Sequence, residues 1–324
     1  MSEPAVRSKG LRPEVRELLE WSDAQGLAPV QEMEIGEARL VRNAQMVRMS
    51  GPAEPLPRVE ELQIPGARGI VTARLYAKEV WDKAESGVRG ALVYFHGGGW
   101  VVGDLETHDA ICRALAKQFG GVVIAVDYAL SPEERFPSAL DDAFAVTRWV
   151  AKNAEDLGVD AERLAVGGDS AGGNLAAVVA MRCRDAGGPS LAAQVLVYPV
   201  TNLSSFDTAS YTEFREGYWL SREGMQWFAS QYLESAEDGL HPEASPLLAT
   251  DLKGLPPALL ITAEFDPLRD EGEAYAERLR QAGVPVVMSR YAGLVHGFLC
   301  MRGMLPAGRE AIDEVAAFLR SMGD

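Results

Sequence analysis

Leu164-Ala165-Val166-Gly167-Gly168-Asp169-Ser170-Ala171-Gly172-Gly173-Asn174 is the stretch whose reading decides the fold. An apolar, β-rich run enters it, and an alanine-rich run with helical character, Asn174 to Cys183, leaves it. Between the two stands Gly168-x-Ser170-x-Gly172. A strand that turns sharply into a helix lifts a serine Oγ clear of the sheet, and glycines let neighbouring backbone pass close without a Cβ clash. The serine also stands at a helix N-terminus, where free N–H groups and the helix dipole favour a developing anion. The five-residue motif alone describes a structural glycine turn equally well. The strand before it and the helix after it make Ser170 the nucleophile candidate.

Upstream, Tyr94-Phe95-His96-Gly97-Gly98-Gly99-Trp100 follows another apolar strand. Three glycines in a row lose much conformational entropy on folding, which is tolerated where backbone must approach a ligand. Gly98 and Gly99, together with Ala171 after the serine, are the expected N–H donors to an oxyanion. A phosphate-binding glycine loop is the rival, but neither Gly-x-x-x-x-Gly-Lys-Ser/Thr nor Gly-x-Gly-x-x-Gly after a first strand occurs. His96 is tempting as a base, but is expected instead to hold the loop through ring hydrogen bonds.

A serine hydroxyl needs a base to take its proton. The chain has four histidines: His96, His108, His241 and His296. His296 lies just after the last expected strand, at the edge of the sheet where strand-end loops converge. His108 sits among helical residues and is expected at the surface or against a cap. His241, before Pro242, falls in an inserted segment. The acid should follow the run Ala258–Thr262, where Glu264, Asp266 and Asp270 compete. Asp266 is chosen because Pro267 then opens the next turn cleanly. Glu264 is assigned to the strand end, and Asp270 to the helix, paired with Arg269 or capping. The order Ser170…Asp266…His296 is a known triad order.

Further out, short apolar runs at 91–95, 122–127, 164–167, 194–198, 258–262 and 286–290 alternate with helical segments near 107–119, 137–153, 171–186, 271–282 and 307–322. Continuous apolar strands alternating with helices predict an α/β fold with a mostly parallel sheet covered on both faces. Stretches 58–64 and 70–77 alternate like strands around Pro65-Gly66 and predict an antiparallel start. Residues 1–50 read as N-terminal helices. Residues 51–200 and 246–324 read as the catalytic domain. Residues 201–245, rich in aromatics, break the rhythm and read as an insertion that joins the N-terminal helices in a cap. Trp100, Phe214, Tyr218 and Trp219, with Asp169 beside the serine, are the candidates for an apolar substrate pocket. Packing the cap onto the sheet is the competing use of the same rings.

The 324 residues carry a formal charge of -16, with 47% apolar and 24% charged residues. The composition is that of an ordinary globular chain. The charge repels phosphate backbones and anionic membrane surfaces, so nucleic acid is not an expected partner. Cys112, Cys183 and Cys300 are odd in number and far apart, so buried free thiols are expected, without disulfides or a metal-ligand pair. No secretory leader and no membrane-spanning run are visible, so the expected location is cytoplasmic.

His96-Gly97-Gly98-Gly99-Trp100, Gly168-Asp169-Ser170-Ala171-Gly172-Gly173, Asp266-Pro267-Leu268-Arg269-Asp270 and His296-Gly297-Phe298, in that order, resemble the hormone-sensitive lipase family of esterases in its microbial branch. The resemblance implies an α/β-hydrolase fold with an eight-stranded sheet and a helical cap, hydrolysis of short to medium acyl esters through an acyl-enzyme, no cofactor and no metal. It also implies a small-molecule ester as partner and a possible homodimer. An amidase or peptidase with the same triad, or a binding protein that kept the fold, are the alternatives. One departure stands out: where the family has arginine after the tyrosine matching Tyr128, this chain has Ala129, which puts a local salt bridge in doubt.

Overall fold

Two antiparallel strands, β1 (Arg58–Pro65) and β2 (Ile70–Ala77), open the sheet, joined at Pro65-Gly66 as the alternation predicts. The computed structural model describes residues 10–80 and 89–322. The apolar runs that follow form β3 (Ala91–Phe95), β4 (Val122–Asp127), β5 (Leu164–Asp169), β6 (Ala193–Val197), β7 (Ala258–Phe265) and β8 (Val286–Val295). The eight strands lie in the order β1-β2-β4-β3-β5-β6-β7-β8. β2 pairs antiparallel with β4, and every pairing from β4 to β8 is parallel. β3 and β5 are therefore neighbours, with Phe95 opposite Gly168. That register sets the triple-glycine loop beside the serine turn, although Phe95 and Gly168 are 73 positions apart in sequence.

β3 shows why these runs become central strands. All five of its residues are buried. Ala91, Val93 and Phe95 belong to one apolar core, and Leu92 and Tyr94 to the other, on the opposite face. A strand buried on both faces reads as a continuous apolar run. The connecting segments form α3 (Leu105–Phe119), α4 (Ser138–Lys152), the short α5 (Ala154–Leu157), α6 (Ala171–Asp185), α9 (Arg269–Gln281) and α10 (Pro306–Ser321). Val146, Leu175 and Leu279, from α4, α6 and α9, join the first core; Ile111 and Ile312, from α3 and α10, join the second.

Before the sheet lie α1 (Pro13–Ala24) and α2 (Ile35–Ser50). α1 buries Val15, Leu18 and Leu19, as its spacing predicts. The aromatic insertion holds α7 (Ala209–Glu213) and α8 (Arg222–Tyr232). Two strands run past their apolar cores: β5 reaches Asp169 and β8 reaches Val295, each ending one residue before a candidate site residue. The three cysteines are buried and free. Among the described residues, no helix is long and apolar enough to cross a membrane.

Candidate active site

Ser170 sits between the end of β5 and the first residue of α6, with φ 56° and ψ −117°. A non-glycine residue held there carries about 1–3 kcal/mol of strain, which the surroundings must enforce. Ser170 N donates to Val197 O at 2.9 Å, and Val200 N donates to Ser170 O at 3.2 Å. The turn also depends on bare glycine: a Cβ on Gly172 would lie 1.9 Å from Phe95 O, in the backbone of β3.

β8 delivers His296 to this turn. Its Nε2 lies 2.9 Å from Ser170 Oγ and its Nδ1 lies 2.8 Å from Asp266 Oδ2. An ionised carboxylate only accepts, so Nδ1 carries the proton and Nε2 is left to accept from the serine hydroxyl. Asp266 is fully buried, and its other oxygen accepts from Leu268 N at 2.9 Å. That bond fixes the carboxylate at the start of the turn into α9. The competing acids have other partners. Glu264 accepts from Gly293 N at 2.7 Å, and Asp270 pairs with Arg269 at 2.9 Å and accepts from Ser210 N.

In the glycine loop, Gly98 has φ +121°, and a Cβ there would lie 2.0 Å from Val102 O. Among the described residues, the N–H groups of Gly98, Gly99 and Ala171 have no acceptor within the chain. His96 holds the loop as expected: Nδ1 lies 2.7 Å from Gly97 O and the ring stacks on Tyr128 at 4.2 Å. Burial pushes its pKa down to about 4, so its ring is neutral at physiological pH. His108 corrects the reading from sequence. It is neither at the surface nor a cap contact but buried under the loop, with Nε2 3.1 Å from Asp169 Oδ1. Asp169 also accepts from Tyr94 Oη at 2.8 Å and Gly97 N at 3.0 Å. Its carboxylate thus holds backbone rather than standing free for substrate. His108, Asp169 and Cys300 each bring one potential metal-ligand atom within 4.8 Å of the others. The ring and the carboxylate already satisfy one another, so the cluster reads as a hydrogen-bond network.

A cavity of about 560 Å³ opens over Ser170 and His296. Gly98, Gly99, Asp169, Met301 and Trp219 line its base and side. Its walls come from α1 and α2 (Leu19, Arg42, Gln45, Met46, Met49) and from the insertion (Leu220, Met225, Phe228). Of the four proposed pocket aromatics, only Trp219 lines it, held at φ 77°. Trp100 is fully buried and stacks on Tyr232 at 4.1 Å. Phe214 and Tyr218 pack on Phe265 at the end of β7, with centroids at 5.3 and 5.6 Å. These three rings seat the insertion on the sheet. The cavity residues of α2 went unread because a weakly amphipathic helix does not announce which side faces a ligand.

Comparison with known proteins agrees with this architecture. The family model for the α/β-hydrolase fold matches residues 92–300. Carboxylesterase NlhH of Mycobacterium tuberculosis is 38% identical over 327 residues, covering 99% of this chain and 98% of its own. Ethyl acetate hydrolase of Pseudomonas putida is 40% identical over 296 residues, covering 90% and 92%. The solved hyperthermophilic esterase of the archaeon Pyrobaculum calidifontis superposes with a TM-score of 0.90 at 45% identity, covering 97% of this chain and 99% of that one. Fold, motif order and whole-length similarity agree, and the chain belongs to the α/β-hydrolase family, in the branch of esterases related to hormone-sensitive lipase.

Proposed function

We propose that this chain hydrolyses carboxylic esters of short to medium acyl length through an acyl-enzyme on Ser170. The observation that carries the reading is the continuous relay Ser170 Oγ–His296–Asp266, at 2.9 and 2.8 Å, at the base of a cavity of about 560 Å³. Ser170 Oγ attacks the ester carbonyl carbon while His296 Nε2 takes its proton. The carbonyl electrons move onto oxygen, which Gly98, Gly99 and Ala171 N–H groups receive. Collapse of this intermediate breaks the bond to the alcohol, which leaves with the proton from His296. Water then loses a proton to His296 and attacks the acyl carbon, and Ser170 departs with that proton. Asp266 fixes the ring and stabilises its charged form without taking the proton.

Residues 10–50 and 201–245 act as a cap that shapes the acyl and alcohol pockets, with Trp219 as one wall; residues 1–9 of the expected cap lie outside the described residues. The test is hydrolysis of p-nitrophenyl esters from acetate to palmitate, with Ser170→Ala run beside the parent. Turnover that peaks at short or medium chains and is lost in the variant is the expected result. A folded parent without turnover would sink the reading, and turnover surviving in the variant would mean another nucleophile.

A further inference from the structure

Under the oxyanion loop lies a second buried histidine–aspartate pair that the reaction scheme does not use. Asp169 precedes the nucleophile, while Tyr94 and Gly97 belong to the end of β3 and the loop that follows. One carboxylate oxygen, Asp169 Oδ1, receives Tyr94 Oη–H at 2.8 Å and Gly97 N–H at 3.0 Å, and lies 3.1 Å from His108 Nε2. The fit is close: a Cβ on Gly97 would lie 2.4 Å from Asp169 Oδ2. Burial alone would raise the Asp169 carboxyl, but the charge of His108 and hydrogen bonds from His108 and Tyr94 outweigh it and hold it down to about 2. Around His108 Nε2, Asp169 Oδ1 at 3.1 Å is nearer than Gly97 N at 3.4 Å and Cys300 Sγ at 3.5 Å, and a carboxylate only accepts, so a ring proton on Nε2 is directed at Asp169. On the far side of the ring, Nδ1 meets Thr107 Oγ1 at 2.9 Å, in the first turn of α3. Thr107 is itself fixed by the capping box with Asp104.

We propose that His108 is a positioning residue for ester hydrolysis: it donates Nε2–H to Asp169 and so fixes the carboxylate that anchors Gly97. Gly97 in turn sets the N–H groups of Gly98 and Gly99 against Ser170. The inference rests on the reading of Ser170, His296 and Asp266 as the catalytic relay. His108 does not line the cavity, so it acts through Asp169 and not on the substrate. Oxyanion donors bind more strongly in the transition state than in the ground state, so displacing them lowers kcat and leaves KM nearly unchanged.

The experiment compares His108→Leu and His108→Gln with the parent on p-nitrophenyl butyrate, reading kcat, KM and thermal midpoint. A glutamine Nε2 reaches close to the position of the imidazole Nε2 and can donate to Asp169. The expected result for His108→Leu is a kcat lower by on the order of 10–10²-fold with KM held within about threefold. His108→Gln should recover most of the lost kcat. A folded His108→Leu with parental kcat overturns the inference, as does an equal loss in both variants. If His108→Leu does not fold, Asp169→Asn takes its place, since it still accepts from Gly97 and Tyr94 but no longer holds His108 by charge. Lower kcat at constant KM supports the clamp there, and parental kcat overturns it. An active parent with indifferent variants removes the clamp alone. A parent without ester hydrolysis overturns the proposed function and this inference with it.

Discussion

Gly172 has its place because Phe95 O occupies the space its side chain would need, only 1.9 Å from a built Cβ. Backbone cannot give way as a side-chain tip can. Gly172→Ala should therefore push β3 and the elbow apart, lowering stability by about 1–3 kcal/mol or more. It should also lower kcat/KM by on the order of 10²-fold, since the serine and the triple-glycine loop separate. A melting curve and hydrolysis rates at parental level would refute this account of the elbow. Glu271, on the first turn of α9, is a different kind of residue. It is buried, accepts from Thr201 N at 2.7 Å and Asn202 N at 3.1 Å, and burial raises its pKa to about 8, with Asp266 adding to the rise. Below about pH 4.5 both folded and unfolded chains keep this proton. As pH rises towards about 8, the unfolded chain releases it and the folded one does not, so stability falls across that window. Glu271→Gln keeps an acceptor for both N–H groups and removes the titration. Relative to the parent it should gain on the order of 3–4 kcal/mol between pH 5 and pH 8, read from urea midpoints. Parallel profiles for the two proteins would show that Glu271 ionises freely in the fold. The candidate residues with a motif around them, Ser170, Asp266 and His296, are those the structure brings within hydrogen-bond reach of one another. Asp266 was separable from Glu264 and Asp270 because Pro267 marks where the strand ends. His108 was misread although a signal existed: Ile111, Cys112, Leu115 and Phe119 continue its helical stripe, and all are buried. A histidine on an apolar stripe belongs inside, where it needs a partner.

Central strands were legible as elements because burial on both faces leaves an unbroken apolar run, whereas their ends were not. β8 continues past the expected run 286–290 through Tyr291, Ala292 and Gly293, where alanine and glycine interrupt the apolar pattern, before it delivers His296. The segments expected to form a cap were less legible because aromatics serve two purposes, and Trp100, Phe214 and Tyr218 pack against other rings instead of lining the cavity. α2 is the instructive case. Its pattern is weak, yet it is pinned to the loop after the triple glycine by polar contacts that hydrophobic spacing cannot show. Asn43 Nδ2 donates to Asp104 Oδ2 at 2.9 Å, and Asn43 Oδ1 accepts from Gly103 N at 2.9 Å. Arg39 adds bonds to Val101 O and Ser131 O at 2.9 and 3.0 Å. Asn43→Ala leaves Gly103 N–H without its acceptor beneath the helix, and should lower stability by about 1–3 kcal/mol in a urea titration. An unmoved midpoint would mean that water replaces the side chain at no loss. The missing family arginine has a comparable answer. Asp142 accepts from Ala129 N at 3.2 Å, and the guanidinium of Arg68, from the turn between β1 and β2, lies 3.5 Å from it and 3.4 Å from Glu134. A guanidinium from the β1–β2 turn thus stands beside the carboxylates near Ala129.

Across the whole molecule, charge and cavity combine into a constraint on substrates. The chain carries -16, and besides the buried Asp169 its cavity is lined by Asp23, Glu32, Glu216 and Glu223, the last paired with Arg215, against one lysine or arginine in the lining, Arg42. Arg42 is engaged with Gln45 Oε1 at 2.8 Å and Ala28 O at 3.0 Å, and burial lowers its pKa. A cleft lined by one sign of charge focuses the field of the whole protein into its mouth, shifting encounter rates by roughly 10–10³-fold. An ester with a free carboxylate should therefore react more slowly than a neutral ester of the same length. The expected deficit in kcat/KM is about tenfold at ~0.01 M ionic strength, where the Debye length is about 30 Å. At ~1 M, with a Debye length of about 3 Å, the deficit should shrink to a factor of two or three. The measurement pairs a p-nitrophenyl hemisuccinate with p-nitrophenyl pentanoate across a salt series. A deficit that ignores salt would point to an apolar wall rejecting the carboxylate by desolvation instead of a long-range field. An anionic ester that reacts faster at low salt would reverse the assignment, making Arg42 a recognition group and the four carboxylates bystanders at the rim.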